Sequence, residues 1–497
     1  MYFLGIDVGS SSVKTSIFDA EKGLSVGKAT FPASEQRIDA EHPGWAEQDP
    51  ELWWKNFKAG YEQIVAQGAI DTRLIAGIGI SYQMHGLVAL DKEGHVLRKS
   101  IIWCDSRAVD LGEAAYQKLG ASYCHEHLLN SPGNFTGAKL KWVKENEPGV
   151  FADIHSFMLP GDYIAYRLSG VMSTTQSGLS EGVLWDFTKR KASTEVLAAF
   201  GFEASLIPQI VPSIGFQCTV SATTAKTLGL RTNVPITYRA GDQPNNAFSL
   251  GVIDAGQVAT TAGTSGVIYA VSDQNFTDPQ SRINTFLHVN DSPSNKRNGV
   301  LICVNGAGSL YSWLKRLFEG GVSYDQMNEW AAQTHPGSDG LQCFPFGNGA
   351  ERILGNRLIQ ANLLGLDFNR HQSRHLIRAS MEGIVFALQM GFDILQKGGF
   401  ACESVRSGNS NLFLSDTFRT IFAHVTGKPL QIFETDGAEG AARGAALGAG
   451  FFNNPNEAFQ SLKLLQSVEP SPFLVDQYQD LFGHWKNRLD ILLASAN

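Results

Sequence analysis

The chain has 497 residues, of which 43% are hydrophobic and 18% charged, and a formal net charge of −8. That length exceeds one hydrophobic core and points to two or more domains, with the composition of a globular protein. The negative charge gives no electrostatic reason to bind nucleic acid or an anionic membrane, and no apolar run approaches membrane-spanning length.

An N-terminus without a basic segment, its apolar start interrupted by Asp7, does not read as a signal peptide. Residues 2–8 and 13–18 read as two short strands joined by Gly9-Ser10-Ser11-Ser12, with a turn at Glu21-Lys22-Gly23. A glycine- and hydroxyl-rich turn offers open backbone N–H groups and small donors, which suits a phosphate; an ordinary hairpin is the alternative. Neither a P-loop nor a dinucleotide fingerprint is present. Asp49 and Pro50 are a cap and first residue for a helix over 50–67, whose Trp53, Trp54 and Phe57 read as core. A buried strand from Ile75 to Ser81 leads into Gln83-Met84-His85-Gly86, at the carboxyl end where open α/β sheets place ligands. A hairpin through Lys92-Glu93-Gly94 follows, then a strand ending in Trp103-Cys104-Asp105-Ser106-Arg107. His85, Asp105 and Arg107 are each able to bond a sugar, or to serve structure alone. Cys124-His125-Glu126-His127 has no second ligand pair nearby, so a zinc site is not expected.

Near the middle, Val234 to Thr237 reads as a buried strand entering Tyr238-Arg239-Ala240-Gly241-Asp242-Gln243, with a helix expected from Pro244 to Gly251. Locally Asp242 is a helix N-cap; its position at a strand-to-helix junction, where two domains could meet, also suits a catalytic base. Val258 to Thr261 and Val267 to Val271 read as strands joined by Ala262-Gly263-Thr264-Ser265-Gly266, repeating the N-terminal pattern. The repeat implies a duplicated fold with one phosphate grip per lobe. Residues 371–397 read as a long helix and 403–406 as a strand before the polar loop Ser407-Gly408-Asn409-Ser410-Asn411, with another helix from about Ser415. Asp436-Gly437-Ala438-Glu439-Gly440 opens a helix whose small side chains admit either a flat ligand or a neighbouring backbone. The last helix carries Tyr478, Leu481, Phe482, Trp485, Leu489 and Leu492 on one face and reads as a structural element that docks on a domain. Six cysteines without Cys-x-x-Cys spacing read as free thiols of a reducing compartment, so a cytoplasmic location is expected.

Taken together, these segments resemble the FGGY carbohydrate kinases over nearly the whole chain, most closely their xylulokinase branch. Gly5 to Lys14 is similar to the first phosphate segment, Gly263-Thr264-Ser265-Gly266 to the second, and Gly241-Asp242 to the segment of the catalytic aspartate. Lys139-Leu140-x-Trp142-Val143 and Ala379-Ser380-Met381-Glu382-Gly383 resemble two family signatures, and Gln83 to Gly86 and Trp45 to Pro50 resemble xylulokinase segments. Two stretches depart: Gly241-Asp242-Gln243 stands where Gly-Asp-Asn is usual, and Ser407 to Asn411 replaces a glycine-rich adenosine loop.

The resemblance implies two duplicated ribonuclease H-like domains of the actin-like ATPase superfamily with a cleft between them. Their expected spans are 1–243 and 252–450, with 451–497 a helical segment docked on the body. It implies ATP-dependent phosphorylation of a small sugar, D-xylulose at its 5-hydroxyl, and a homodimer. Another ketose, a polyol or a sugar acid is the sister substrate class, and an actin-like ATPase without sugar transfer is the alternative of another kind. The implied roles are Asp242 as base; Met84, His85, Asp105, Arg107, Asp242 and Gln243 for the sugar; and Asp7 for Mg²⁺. Ser10, Ser11, Ser12, Lys14, Gly263, Thr264, Ser265, Gly408, Asn409, Asn411, Gly437 and Gly440 are implied for the nucleotide.

Overall fold

The structure, a computed structural model, describes residues 1–68, 70–318 and 321–495. Its first half supplies β1 (Tyr2–Val8), β2 (Val13–Asp19), β3 (Leu24–Phe31), α1 (Pro50–Ala66), β4 (Ile75–Tyr82) and α2 (Thr136–Asn146). It continues with α3 (Gln176–Glu181), β5 (Ile214–Thr219), β6 (Pro235–Gly241) and α4 (Asp242–Ser249). The second half supplies β7 (Val258–Ala262), β8 (Gly266–Ser272), β9 (Asn284–Leu287), β10 (Asn298–Val304), α5 (Ser373–Lys397) and β11 (Val405–Gly408). It ends with α6 (Asp416–Thr426), β12 (Leu430–Phe433), α7 (Gly437–Gly448), β13 (Leu464–Val468) and α8 (Pro472–Ser495).

Two large mixed sheets repeat one pattern. The first has the order β5-β6-β4-β1-β2-β3 and the second β9-β10-β8-β7-β11-β12-β13. In each, three antiparallel strands (β1 to β3; β7, β8 and β10) are continued by two strands parallel to the first of them (β4 and β6; β11 and β12). Antiparallel strands then finish the edges. The twelve-residue likeness between the two hairpin turns was therefore the visible part of a whole-sheet repeat. The chain has the duplicated ribonuclease H-like fold of the actin-like ATPase superfamily.

One face of the first sheet is covered by α1, which buries Trp53, Trp54, Phe57, Tyr61 and Ile64; the Asp49 side chain caps it by accepting from Glu51 N at 2.9 Å. The opposite face is covered by a helix from the far end of the chain. α7 lies across β1, β4 and β6 and buries Ala438, Ala441, Ala442, Ala445 and Ala446 with Phe3, Phe18 and Tyr238. Glycines in the sheet let the helix backbone settle this low: a Cβ at Gly5 would lie 1.8 Å from the Ala438 carbonyl oxygen, and one at Gly79 2.0 Å from that of Ala441. Ion pairs of Lys28 with Asp436 (2.7 Å) and Glu439 (3.0 Å) hold the helix to β3, and Arg443, paired with Glu439 within the helix (2.9 Å), donates to Gly23 O just before β3 at 3.1 Å.

Several boundaries differ from the sequence expectation. The central strand runs on to Gly241, and α4 starts at Asp242, two residues before Pro244. Proline is tolerated there because the first N–H groups of a helix have no intrahelical acceptor to bond. The strand expected to end at Trp103 is the two-residue segment Ser100–Ile101, paired with Glu47–Gln48. The 451–495 span adds β13 to the sheet as well as α8, whose Tyr478, Trp485 and Leu489 are buried.

Gly5→Ala tests the flush contact between α7 and the sheet. Overpacking of this kind costs about 1–3 kcal/mol, so its melting midpoint should drop by roughly 2–12 °C. Gly149→Ala, where an added Cβ meets nothing within 4 Å, should melt with the parent. Equal midpoints for Gly5→Ala and the parent in a thermal scan would contradict the contact.

Candidate active site

Because β1, β4 and β6 run parallel, their carboxyl ends share one edge, and the register sets Asp7 opposite Ser81 and Gly241 opposite Tyr82. The parallel strands β7, β11 and β12 of the second sheet end likewise in the Gly263-Thr264-Ser265 turn, the loop after Gly408 and Asp436-Gly437. α7 joins the two edges: a Cβ at Gly437 would lie 2.4 Å from Asp7 Oδ2. A first-half carboxylate thus rests against the opening turn of a helix from the second half.

Asp242 is the first helical residue of α4, and the N-cap position belongs to Gly241 with no side-chain cap bond. Asp242 thus stands one residue inside the cap position, and its carboxyl accepts from Gln243 at the start of the helix. Burial, then the nearby charge of Asp7, raises its pKa to about 7, against hydrogen bonds from Gln243 that lower it. Asp7 is raised too, chiefly by burial and in part by Asp436, while Lys14 and Ser81 oppose the shift. Asp436 caps α7 by accepting from Glu439 N at 2.8 Å and pairs with Lys28. Three carboxyl groups from β1, α4 and the α7 cap thus lie in one region, with Lys14 directly across the ladder from Asp7. Gln243 is half-buried beside Asp242. Asn245, on the next turn, donates to Gly437 O at 2.9 Å and accepts from the Tyr238 hydroxyl at 3.0 Å.

His85 follows β4 with a left-handed φ of 62°. Its carbonyl accepts from the buried Lys139 ammonium of α2 at 2.8 Å, and its Nδ1 lies 2.9 Å from the Glu181 carbonyl oxygen. A carbonyl only accepts, so Nδ1 carries the proton and Nε2 is a bare acceptor. Burial and the Lys139 charge lower the imidazole pKa to about 3, which keeps the ring neutral. Burial also lowers Lys139 itself to about 7. The ring sits against Phe135 (4.8 Å) and Phe286 of β9 (5.4 Å), so both halves of the chain hold it. Met84 is buried beside Gly241.

Asp105 and Arg107 do not join this group. The Asp105 carboxylate is fully buried and accepts from Ala46 N (2.6 Å), Arg107 N (2.9 Å) and Arg107 Nη2 (2.6 Å). Arg107 also pairs with Glu47 at 2.7 Å and lies between the rings of Trp45 (3.6 Å) and Trp142 (4.8 Å). Their donors and acceptors serve the loop itself. Gly440 is likewise occupied, since a Cβ there would lie 2.5 Å from Ser249 Cβ on α4; the glycine serves helix packing.

In the first turn Gly9 N donates to Ser12 O at 3.0 Å; Ser11 is exposed, with Ser10 and Ser12 half-buried. In the second, Gly263 and Thr264 accept at their carbonyls from Gly308 N (2.8 Å) and Ser309 N (3.1 Å), and Thr264 is exposed. Asn411, at a φ of 54°, places its amide beside Gly263. The Asn409 side chain accepts from Arg419 at 2.8 Å, and a Cβ at Gly408 would meet Ser410 Oγ and the Thr435 carbonyl oxygen at 3.8 Å, an ordinary contact.

Lys139, Glu181 and Asp436 take part without having been singled out from sequence. Lys139 lay inside a signature, Asp436 had the visible signal of a cap before glycine, and Glu181 had none. His127 pairs with Asp186 at 3.0 Å and stacks on Tyr123, and among the described residues no three His, Cys, Asp or Glu side chains are arranged to hold a metal. A cavity of about 310 Å³ between α5 and α8, lined by Gly337, Glu382 and Arg488, shares no residue with this edge.

Residues 2–249 match the model of the FGGY family of carbohydrate kinases, N-terminal domain. The chain is 30% identical to a xylulose kinase of Klebsiella pneumoniae, over 89% of this chain and 88% of the relative. It is 29% identical to a xylulose kinase of Bacillus subtilis, over 98% of this chain and 96% of the relative. A solved structure described as a xyloylose kinase from Brucella ovis superposes with a TM-score of 0.88 at 26% identity, covering 99% of this chain and 100% of that one.

The burial of Asp242 has a consequence for stability. With a folded-state pKa of about 7 against about 3.9 unfolded, the fold keeps a proton that the unfolded chain has lost. Stability from this group is complete below about pH 4, falls as pH rises to about 7 and is flat beyond. In buffer without divalent cations, Asp242→Asn should melt above the parent at pH 8, by about 2–4 °C per kcal/mol relieved, and with it at pH 4. Equal midpoints at pH 8 would show that the carboxylate is well solvated.

Proposed function

Since the chain belongs to the FGGY family of carbohydrate kinases and is a sugar phosphotransferase, we propose that it transfers the terminal phosphoryl group of ATP to the 5-hydroxyl of D-xylulose. Asp242 is the general base. The observation that supports this assignment is the Asp242 carboxyl at the shared edge, one residue past the cap position, with a pKa of about 7. The choice of D-xylulose is supported by the Gln83-Met84-His85-Gly86 segment and by the xylulose kinases among the relatives.

A sugar alcohol is a weak nucleophile at neutral pH. The ionised Asp242 takes the proton of the 5-hydroxyl as its oxygen bonds the γ-phosphorus; the bond from that phosphorus to the bridging oxygen breaks, and ADP leaves. Positioned proton transfer of this kind contributes roughly 10²–10⁴-fold. His85 Nε2, neutral and unprotonated, accepts a hydrogen bond from a second sugar hydroxyl, and Met84 and Gln243 border the same space. The Ser10-Ser11-Ser12 turn with Lys14 and the Gly263-Thr264-Ser265 turn hold the phosphates from opposite sheets, with Gly437 beside them and Gly408 and Asn411 toward the nucleoside. Asp105 and Arg107 stiffen the loop before the helix Val109–Leu119.

Carboxylate oxygens are the donors that Mg²⁺ prefers, and two raised carboxyl groups at one edge fit a cation there. Asp7 would hold it, and the ion when bound would neutralise phosphate charge. The two lobes are taken as 1–243 and 252–450, with α7 of the second seated on the first. All six cysteines are free, in keeping with a cytoplasmic enzyme.

ADP release should depend on D-xylulose and exceed that with D-ribulose, glycerol or D-gluconate. Below about pH 7, kcat/KM should fall about tenfold per unit as Asp242 takes up its proton. Asp242→Asn should lose at least about 100-fold in kcat with the sugar KM little changed. Sugar-independent ADP release would instead mark a plain ATPase, and unimpaired turnover in Asp242→Asn would remove the base assignment.

A further inference from the structure

Glu181, the last residue of α3, has a side chain only 1% exposed. Its Oε1 makes no well-formed hydrogen bond among the described residues, the neighbouring Tyr82 hydroxyl being close enough only to oppose weakly the upward shift of the carboxyl. The other oxygen is 2.4 Å from where a Cβ on Gly241 would sit, and Met84 Cγ is 2.6 Å from that same point. The Glu181 carbonyl receives the His85 Nδ1–H at 2.9 Å. Met84, His85 and the Gly241-Asp242 junction therefore surround one residue, and its carboxyl is the polar group among them that the mechanism leaves unused. Leaving such a group unmatched in the interior costs about 1–3 kcal/mol, a cost that a bound polar ligand would remove.

We propose that Glu181 is a sugar-contacting, specificity-determining residue, whose carboxyl hydrogen-bonds a hydroxyl or carbonyl oxygen of the substrate beside His85 and Asp242. Burial first, and then the charge of Asp242, hold this carboxyl protonated, well above the ordinary carboxylate range. It therefore meets the sugar as a neutral group with one O–H donor and one acceptor. Asp242 remains the ionised partner; two neighbouring carboxyl groups driven apart in this way divide into a base and a hydrogen-bond donor. A site built to bond a sugar oxygen discriminates strongly against analogues that lack it, because its own group is then stranded.

The role assumes the sugar-kinase chemistry proposed above, so the test begins with the parent enzyme on D-xylulose, D-ribulose, glycerol and D-gluconate at saturating ATP. No turnover with any of them overturns that chemistry and this role together. With whichever sugar is turned over, Glu181→Gln, which keeps a donor and an acceptor, should stay within about 3-fold of the parent sugar KM. Glu181→Leu, which keeps the bulk and loses both, should raise it at least about 10-fold with the ATP KM unchanged, and should narrow the preference among sugars. Glu181→Ala supplies the same comparison should the leucine variant not fold. An unchanged sugar KM, a parallel rise in both KM values, or a glutamine variant as impaired as the leucine one would each overturn the Glu181 role while leaving the kinase chemistry standing.

Discussion

The contact of the Asp7 carboxylate with Gly437 at the start of α7 sets the geometry on which the rest of the site depends. Each sheet presents its parallel strands' carboxyl ends along one edge: Asp7, His85 and Asp242 come from the first, and the Gly263-Thr264-Ser265 turn and Asp436-Gly437 from the second. α7 links them because its sequence leads directly from β12 of the second sheet, yet its body is packed on β1, β4 and β6 of the first. Glycine and alanine on the helix, and Gly5 and Gly79 beneath it, are what permit that depth. The small residues that could have signified a flat ligand are used for backbone approach, and only Gly437 also borders the site.

Placement at that edge accounts for the electrostatics. Asp7 and Asp242 are half-buried with poorly solvated carboxyl groups; the charge of Asp7 helps raise Asp242, and that of Asp436 helps raise Asp7. The arrangement is costly in an empty protein and suits one that meets a cation and a proton-bearing alcohol there. His85 is treated oppositely: Lys139 beneath its carbonyl and aromatic rings from both halves keep it neutral. In the proposed reaction a charged imidazole would compete with the hydroxyl proton for Asp242, whereas a neutral one with an acceptor nitrogen would orient the sugar without taking part in the transfer. Closure of the halves on each other is already represented by β9, whose Leu287 N donates to Ser180 Oγ at 2.9 Å and whose Phe286 reaches His85.

Local chemistry made much of this legible. Asp49-Pro50, Glu21-Lys22-Gly23 and the two hydroxylic turns are encoded within a few residues and stand where the sequence places them. The duplicated fold was readable from one hairpin repeated, although the order of six and seven strands was not. Asp242 was ambiguous locally because cap and base favour the same residue at the same junction, and the structure moves the cap position one residue back, to Gly241. Asp105 and Arg107 misled because a polar pair after a strand looks alike whether it faces a ligand or, as here, Trp45, Trp142 and Glu47. Glu181 was silent, since burial against Gly241 is a property of tertiary packing across 60 residues of chain and leaves no local pattern.

The central claim is that the opening turn of α7 fixes Asp7, and with it the phosphate, opposite Asp242. Gly437→Ala addresses it most directly, because the added Cβ would fall 2.4 Å from Asp7 Oδ2 while removing no polar group. Measured as ADP release with saturating D-xylulose and ATP, turnover should drop at least about 100-fold, the effect of misplacing reacting groups by about 1 Å, with the melting midpoint close to the parent's. Turnover equal to the parent's in a folded Gly437→Ala protein would contradict the account.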